Sequence, residues 1–198
     1  MPLYEIEHSI PLDKSQRDEL AQAITHIHTR KFATPSLFVN IRFIDANSRH
    51  NYVAGKERAI NRITAYVRAG GTRTTADFDE LAQRVSETWD RVINKDGTRS
   101  KERQLNAVFV LGAITTGTEN GFLLPRVSGT SSCSYPLLIS MSKHLFFVSE
   151  LMKFGVQAGE DASWLRSNAP KFEELAKQGD ADFIELVEEM QSRDDLSV

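Results

Sequence analysis

Cysteine is almost missing from this chain. Cys133 is the only one in 198 residues, so no intrachain disulfide can form, and the usage fits a reducing compartment. No apolar run reaches the roughly 20 residues that a membrane-spanning helix needs. The first residues, Met1-Pro2-Leu3-Tyr4-Glu5, lack the basic and apolar regions of a signal peptide. Excess positive charge is lacking as well: 24 Lys and Arg stand against 27 Asp and Glu, for a net charge of −3. Without a basic stripe, nucleic-acid binding is disfavoured. There is no Gly-rich phosphate loop, no zinc-ligand spacing and no Gly-x-Ser-x-Gly elbow. The expectation is a soluble, cytoplasmic protein with no nucleic-acid or membrane partner, and no metal or organic cofactor is implied. Its 40% apolar residues suffice for the core of one domain, or one domain with an appendage.

The pattern along the chain is β-α-β, twice. Residues 3–10 begin by alternating Leu3, Glu5 and Glu7 with Tyr4, Ile6 and His8, a half-buried strand ended by Pro11. Asp13 followed by Gln16 is a capping-box pattern. Leu20, Ala23, Ile24 and Ile27 then recur at helical spacing until the chain nears Pro35. Residues 37–44 read as the second strand. Residues 60–67 read as a third strand, broken by Gly70 and Gly71. Thr74 or Thr75 caps a helix over 77–93 with the apolar face Phe78, Leu81, Ala82, Val85, Trp89 and Val92, and 105–111 is a fourth strand. This predicts an α/β (α+β) fold: two tandem β-α-β units forming a four-stranded sheet with helices on one face. Such a sheet leaves apolar surface for which oligomerisation is the simplest cover. Pro170 is expected near the start of a helix, and 181–191 reads as a short amphipathic helix carrying Phe183, Ile184, Val187 and Met190.

Pro2 directs attention to the chain start. Small second residues permit removal of the initiator methionine, and Pro2 would then carry a secondary amine. Such an amine is a good base and nucleophile when neutral, and an apolar pocket with nearby arginines lowers its pKa toward working pH. Arg68 and Arg73 lie at a strand end and in the following turn, where their planar forks suit a carboxylate; alternatively they are two solvated arginines. His28 continues the stripe of Leu20 and Ile24, whereas His26 points elsewhere. It is either a hydrogen-bond donor to substrate or a packed helix histidine. Glu119 is either a group that activates water or an exposed loop carboxylate. Tyr4 and Arg42 are further pocket candidates whose strand parity leaves them open.

The segments PLYEIEHS, AITHIHTR and VRAGGTRTTADFDELAQRV together resemble the tautomerase superfamily, most nearly its cis-3-chloroacrylic acid dehalogenase-like group and the fungal members of it. The resemblance covers most of residues 2–125 and resumes near Ala158. It implies that the catalytic proline is Pro2, the helix histidine His28, the arginine pair Arg68 and Arg73, and the acidic residue Glu119 in ENGFLLP. It also implies a homotrimer acting on a small carboxylate substrate. The expected chemistry is keto–enol tautomerisation, with neutral Pro2 shuttling a proton, or water addition or dehalogenation, with protonated Pro2 donating one. The dehalogenases carry a tyrosine where this chain offers Val110, or Phe109 beside it, so a hydroxyl expected to polarise substrate or water is missing. A non-catalytic interaction or signalling protein on the same scaffold, or a decarboxylase of a small β-keto acid, are the competing readings.

The resemblance divides the chain into a tautomerase-like core (1–126), an atypical insert (127–157) and a C-terminal helical extension (158–198). Leu124-Pro125-Arg126 would join naturally to Ala158-Gly159-Glu160-Asp161-Ala162-Ser163-Trp164-Leu165. The interruption starts with Val127-Ser128, which GTGAGT encodes, and ends with Gln157, which CAG encodes. These are a typical intron start and end, so the insert reads either as a translated, unspliced intron or as a genuine insertion covering an oligomer surface. Sequencing the spliced transcript separates them: an intron leaves the dominant message without codons 127–157, and a dominant message containing them defeats that idea.

Overall fold

A computed structural model describes residues 1–124 and 161–196. The 127–157 insert, with Cys133, lies outside the described residues. Strand β1 (Leu3–His8) leads into helix α1 (Lys14–Phe32) and strand β2 (Asn40–Asp45). A two-residue-per-strand hairpin follows, β3 (Tyr52–Val53) and β4 (Lys56–Glu57). The second unit is β5 (Arg62–Tyr66), α2 (Thr75–Ile93) and β6 (Ala107–Leu111). A second small hairpin, β7 (Thr118–Glu119) and β8 (Phe122–Leu123), precedes helices α3 (Asp161–Lys177) and α4 (Ala181–Ser192).

The four long strands form one sheet in the order β2-β1-β5-β6. β1 and β2 are parallel, as are β5 and β6, because each pair is joined by a crossover helix. The two units meet along the antiparallel β1–β5 pair, with Ile6 opposite Ile63. Both helices open with the capping boxes that their sequences encode: Asp13 with Gln16, and Thr74 with Asp77. α1 ends at Ala33, held in the left-handed region at φ 46°, two residues before Pro35.

Alternate residues of the sheet, among them Tyr4, Ile6, Ile63 and Ala65, pack against Leu20, Ile24 and Ile27 of α1 and Leu81, Val85, Trp89 and Val92 of α2. The opposite face is a mixture. It carries cross-strand ion pairs, Glu5 with Arg42 and Glu7 with Arg62, and it leaves Phe109 and Leu111 exposed.

A second core lies beside the first. Met1, Phe38, Phe122 and Leu124 pack with Trp164, Leu165, Phe172, Phe183, Leu186, Met190 and Leu196. Rings of Phe122 and Phe172 lie 4.7 Å apart and those of Phe38 and Trp164 5.4 Å apart, spacings that suit edge-on aromatic contact. The C-terminal helices are therefore built onto the start of the chain.

Two expectations need correction. Pro170 lies inside α3, not near its start. A proline there removes a backbone hydrogen bond. In the preceding turn Ser167 Oγ donates to the Ser163 carbonyl and Asn168 Nδ2 to the Trp164 carbonyl, both at 2.8 Å. Packing of Trp164, Leu165 and Phe172 in the second core overrides the local preference. Likewise the strand expected over 37–44 begins only at Asn40. Residues Ser36–Phe38 form a 3₁₀ turn that turns Phe38 fully into the second core and is tied to α4 by two hydrogen bonds from Ser36 to Glu189, at 2.8 and 2.9 Å.

If the second core belongs to the same cooperative unit, Phe172→Ala should cost about 3–5 kcal/mol and lower a single thermal transition seen by both far-UV circular dichroism and Trp fluorescence. Two separate transitions would show that α3 and α4 fold apart from the sheet.

Candidate functional site

The start of β1 is a crowded place. The ladder between β1 and β2 continues one step beyond the strand, the Asn40 amide donating to the Pro2 carbonyl at 3.1 Å. Pro2 is buried, as is Met1, at 7% exposure. Pro2, Tyr4 and Ile6 have the same parity, so the chain terminus rises on the helix-covered side, where α1 brings His28.

His28 is 1% exposed, and its Nδ1 lies 2.8 Å from the Tyr4 hydroxyl. Burial, followed by the positive charges of the terminus, Arg73 and Arg68, pushes its pKa well below the usual 6.5, so the ring is neutral. Burial raises the Tyr4 phenol, which stays protonated. A buried hydroxyl hydrogen needs an acceptor. Donation from Tyr4 to Nδ1 meets that need and leaves the imidazole proton on Nε2. His26, two residues earlier, is exposed.

Arg68 follows β5 and Arg73 sits in the Gly70-Gly71 turn. Their side chains are only 1% and 6% exposed, so neither is a solvated surface arginine. Arg73 Nη1 donates to the Arg68 carbonyl at 3.0 Å, and its guanidinium lies 4.7 Å from the centre of the Phe32 ring. Phe32 in turn contacts His28, with ring centres 4.8 Å apart. Burial, then the nearby Arg73, brings Arg68 down from 12.5 to about 10, still charged at neutral pH. Asp161, the first residue of α3, pairs with both guanidinium groups: one carboxylate oxygen meets Arg68 Nη2, and the other meets Arg73 Nη2 at 2.5 Å.

Glu119 is half-buried at the end of β7. The Asn120-Gly121 turn, with φ of 50° and 80°, is the two-residue hairpin turn that asparagine and glycine favour, and it folds β7 back on β8. The Glu119 carboxylate accepts from Asn40 Nδ2 at 2.6 Å. Burial raises its pKa. Asn40 thus touches both the Pro2 backbone and Glu119.

These groups act on one another electrostatically. Burial, then Arg68 and Arg73, lowers the terminal amine from 8.0 to about 4, while Glu119 works in the opposite direction. The structure brings the chain terminus with Pro2, His28, Arg68, Arg73 and Glu119 into one neighbourhood and adds Tyr4 from the sequence candidates. It removes Arg42, which pairs with Glu5 on the open face of the sheet. Val110 packs against the helix-covered core and Phe109 is half exposed on the other face; neither supplies a hydroxyl. Asn40 and Asp161 escaped the sequence reading. The Asn120-Gly121 pair was a legible signal for the hairpin that sets Glu119, but nothing local pointed from Asp161 to arginines about 90 residues earlier. Among the described residues, no three His, Cys, Asp or Glu side chains converge as a metal-binding group, and no helix is long and apolar enough to cross a membrane.

No curated protein matches the sequence. Solved structures with a similar shape include a fused 4-OT wild-type asymmetric trimer (17% identity, 61% of this chain and 94% of that chain, TM-score 0.47). Another is N1, a member of the cis-3-chloroacrylic acid dehalogenase family (19% identity, 63% and 84%, TM-score 0.48). A third is a macrophage migration inhibitory factor-like protein from Entamoeba histolytica (14% identity, 60% and 95%, TM-score 0.41). The family model Tautomerase_3, described as "Putative oxalocrotonate tautomerase enzyme", matches residues 1–134. With a match over more than half of its 198 residues, the chain belongs to this tautomerase family.

Proposed function

We propose that this protein is a proton-transfer enzyme in which Pro2, exposed by loss of Met1, acts as the base on a small carboxylate substrate, an α-keto or unsaturated acid. The observation that carries the reading is the meeting of a buried chain terminus with two buried, charged arginines. Placed there, the secondary amine of Pro2 meets the influences that depress the Met1 amine: burial first, then the fields of Arg68 and Arg73. A depressed amine is neutral at working pH and accepts a proton from carbon. The arginines hold the substrate carboxylate and stabilise the charge of the enolate. Neutral His28, with its proton on Nε2, donates a hydrogen bond to a substrate oxygen.

The same electrostatics favour tautomerisation over the water-addition or dehalogenation version, which needs a protonated Pro2. The absence of a hydroxyl at Val110 points the same way. In that second version Glu119, with its pKa raised by burial, is the group that would activate water. Self-association, as the homotrimer that the family resemblance implies, is supported by the exposed Phe109 and Leu111 on the open sheet face. A non-catalytic role is favoured if Met1 is retained, because the Pro2 nitrogen is then an amide.

The test is an assay with phenylpyruvate and 3-haloacrylates on protein whose Pro2 terminus has been confirmed by mass spectrometry. Pro2→Ala should lower kcat/KM for ketonisation by about 10²-fold or more; equal activity rejects the mechanism. Arg73→Ala should raise KM by about 10- to 100-fold, the loss of a charge-assisted hydrogen bond. The pH profile follows from the sign of the shift. The base is active when neutral, so with a lowered pKa kcat/KM should stay flat through pH 7 and fall only on the acid side. A rate that instead declines as pH rises through 7 would favour the protonated-proline version.

A further inference from the structure

The pair of arginines in the site already has an occupant. Asp161 spans them, one carboxylate oxygen to each guanidinium, the two-pronged arrangement that an external carboxylate would adopt. Its side chain is 14% exposed. The space around it, bounded in part by Met1, Phe38, Arg68 and Trp164, measures about 10 Å³, room for about one water molecule and not for a carboxylic acid. The bonds that hold the Asp161 carboxylate run to Arg68 and Arg73 and do not involve Met1. On the solvent side an open cleft of about 400 Å³, lined in part by Phe32, Thr72, Arg73 and Asp161, reaches Arg73 and the bridging carboxylate.

We propose that Asp161 is a built-in competitor of the substrate. Its carboxylate fills the Arg68–Arg73 clamp, and an external carboxylate binds only by displacing the first turn of α3. This rests on the reading of the clamp as a carboxylate site. Asp161 is the first residue of its helix, and the helix is anchored three residues later by the indole of Trp164, whose Nε1 donates to the Leu123 carbonyl at 2.9 Å, and beyond it by Leu165 and Phe172 in the second core. Release therefore requires movement of the residues ahead of Trp164 and not departure of the helix. A tethered carboxylate is present at high effective concentration, so it sets a threshold that ligands must exceed. Without it, two buried cations would lack that counter-charge and would hold free anions more tightly.

The test uses benzoate as a stable monocarboxylate probe on the full chain with a processed terminus. By calorimetric titration, Asp161→Asn and Asp161→Ala should each bind benzoate at least tenfold more tightly than the unaltered protein. Unchanged or weaker binding, or no binding to any of the three, overturns the proposal. In the unaltered protein, saturating benzoate should speed hydrogen exchange at the amides of residues 165–167, whose helical acceptors are the carbonyls of residues 161–163; benzoate bound with that exchange unchanged also overturns it, and this readout stands even if neither variant folds. The catalytic reading fails separately, through a Pro2→Ala enzyme as active as the parent, which leaves these binding outcomes intact.

Discussion

The structure is organised around two guanidinium groups held out of water beside the first residues of the chain. Placing a cation in an apolar surrounding costs several kcal/mol unless its charge is matched. Here Asp161 bridges the pair. Burial first, and then the positive field of the arginines, lowers the pKa of the terminal amine and of His28. A neutral amine, a neutral imidazole and two fixed cations in one place follow from burial and charge acting together. They are also the ingredients that carbon-to-carbon proton transfer beside a carboxylate requires.

The fold exists to meet that constraint from several directions. The first β-α-β unit supplies the terminus, Tyr4 and His28. The second supplies the arginines, just past the end of β5, the strand that pairs directly with β1. The β7–β8 hairpin supplies Glu119, and Asn40 links it to Pro2 through one side-chain and one backbone hydrogen bond. The C-terminal helices add apolar cover: Phe38 and Met1 from the core pack with Trp164, Phe172 and Phe183, so desolvation of the terminus depends on residues about 160 positions away.

Much of the framework was legible in the sequence because its signals are local. The capping pair Asp13/Gln16 set the start of α1, Thr74 or Thr75 was read as the cap of α2 and the structure selects Thr74, and the stripe Leu20, Ile24, His28 put one histidine inward and left His26 outward. Where the reading failed, the deciding contacts were distant. Phe38 looked like a strand residue until the second core and Glu189 drew its turn out of the sheet. Pro170 looked like a helix start because proline preference is local, whereas packing of Trp164, Leu165 and Phe172 is not. Arg42 and Tyr4 were indistinguishable by pattern; strand register sends one to the open face and the other to His28. Asp161 carried no local sign of its partners.

The most direct measurement is the protonation of the Pro2 nitrogen itself. In protein labelled with ¹⁵N-proline and lacking Met1, the terminal nitrogen resonance should titrate well below the ordinary terminal-amine value of 8.0, and substitution of Arg68 or Arg73 should move that midpoint upward. A midpoint at or above 8.0, unmoved by either substitution, would contradict the account.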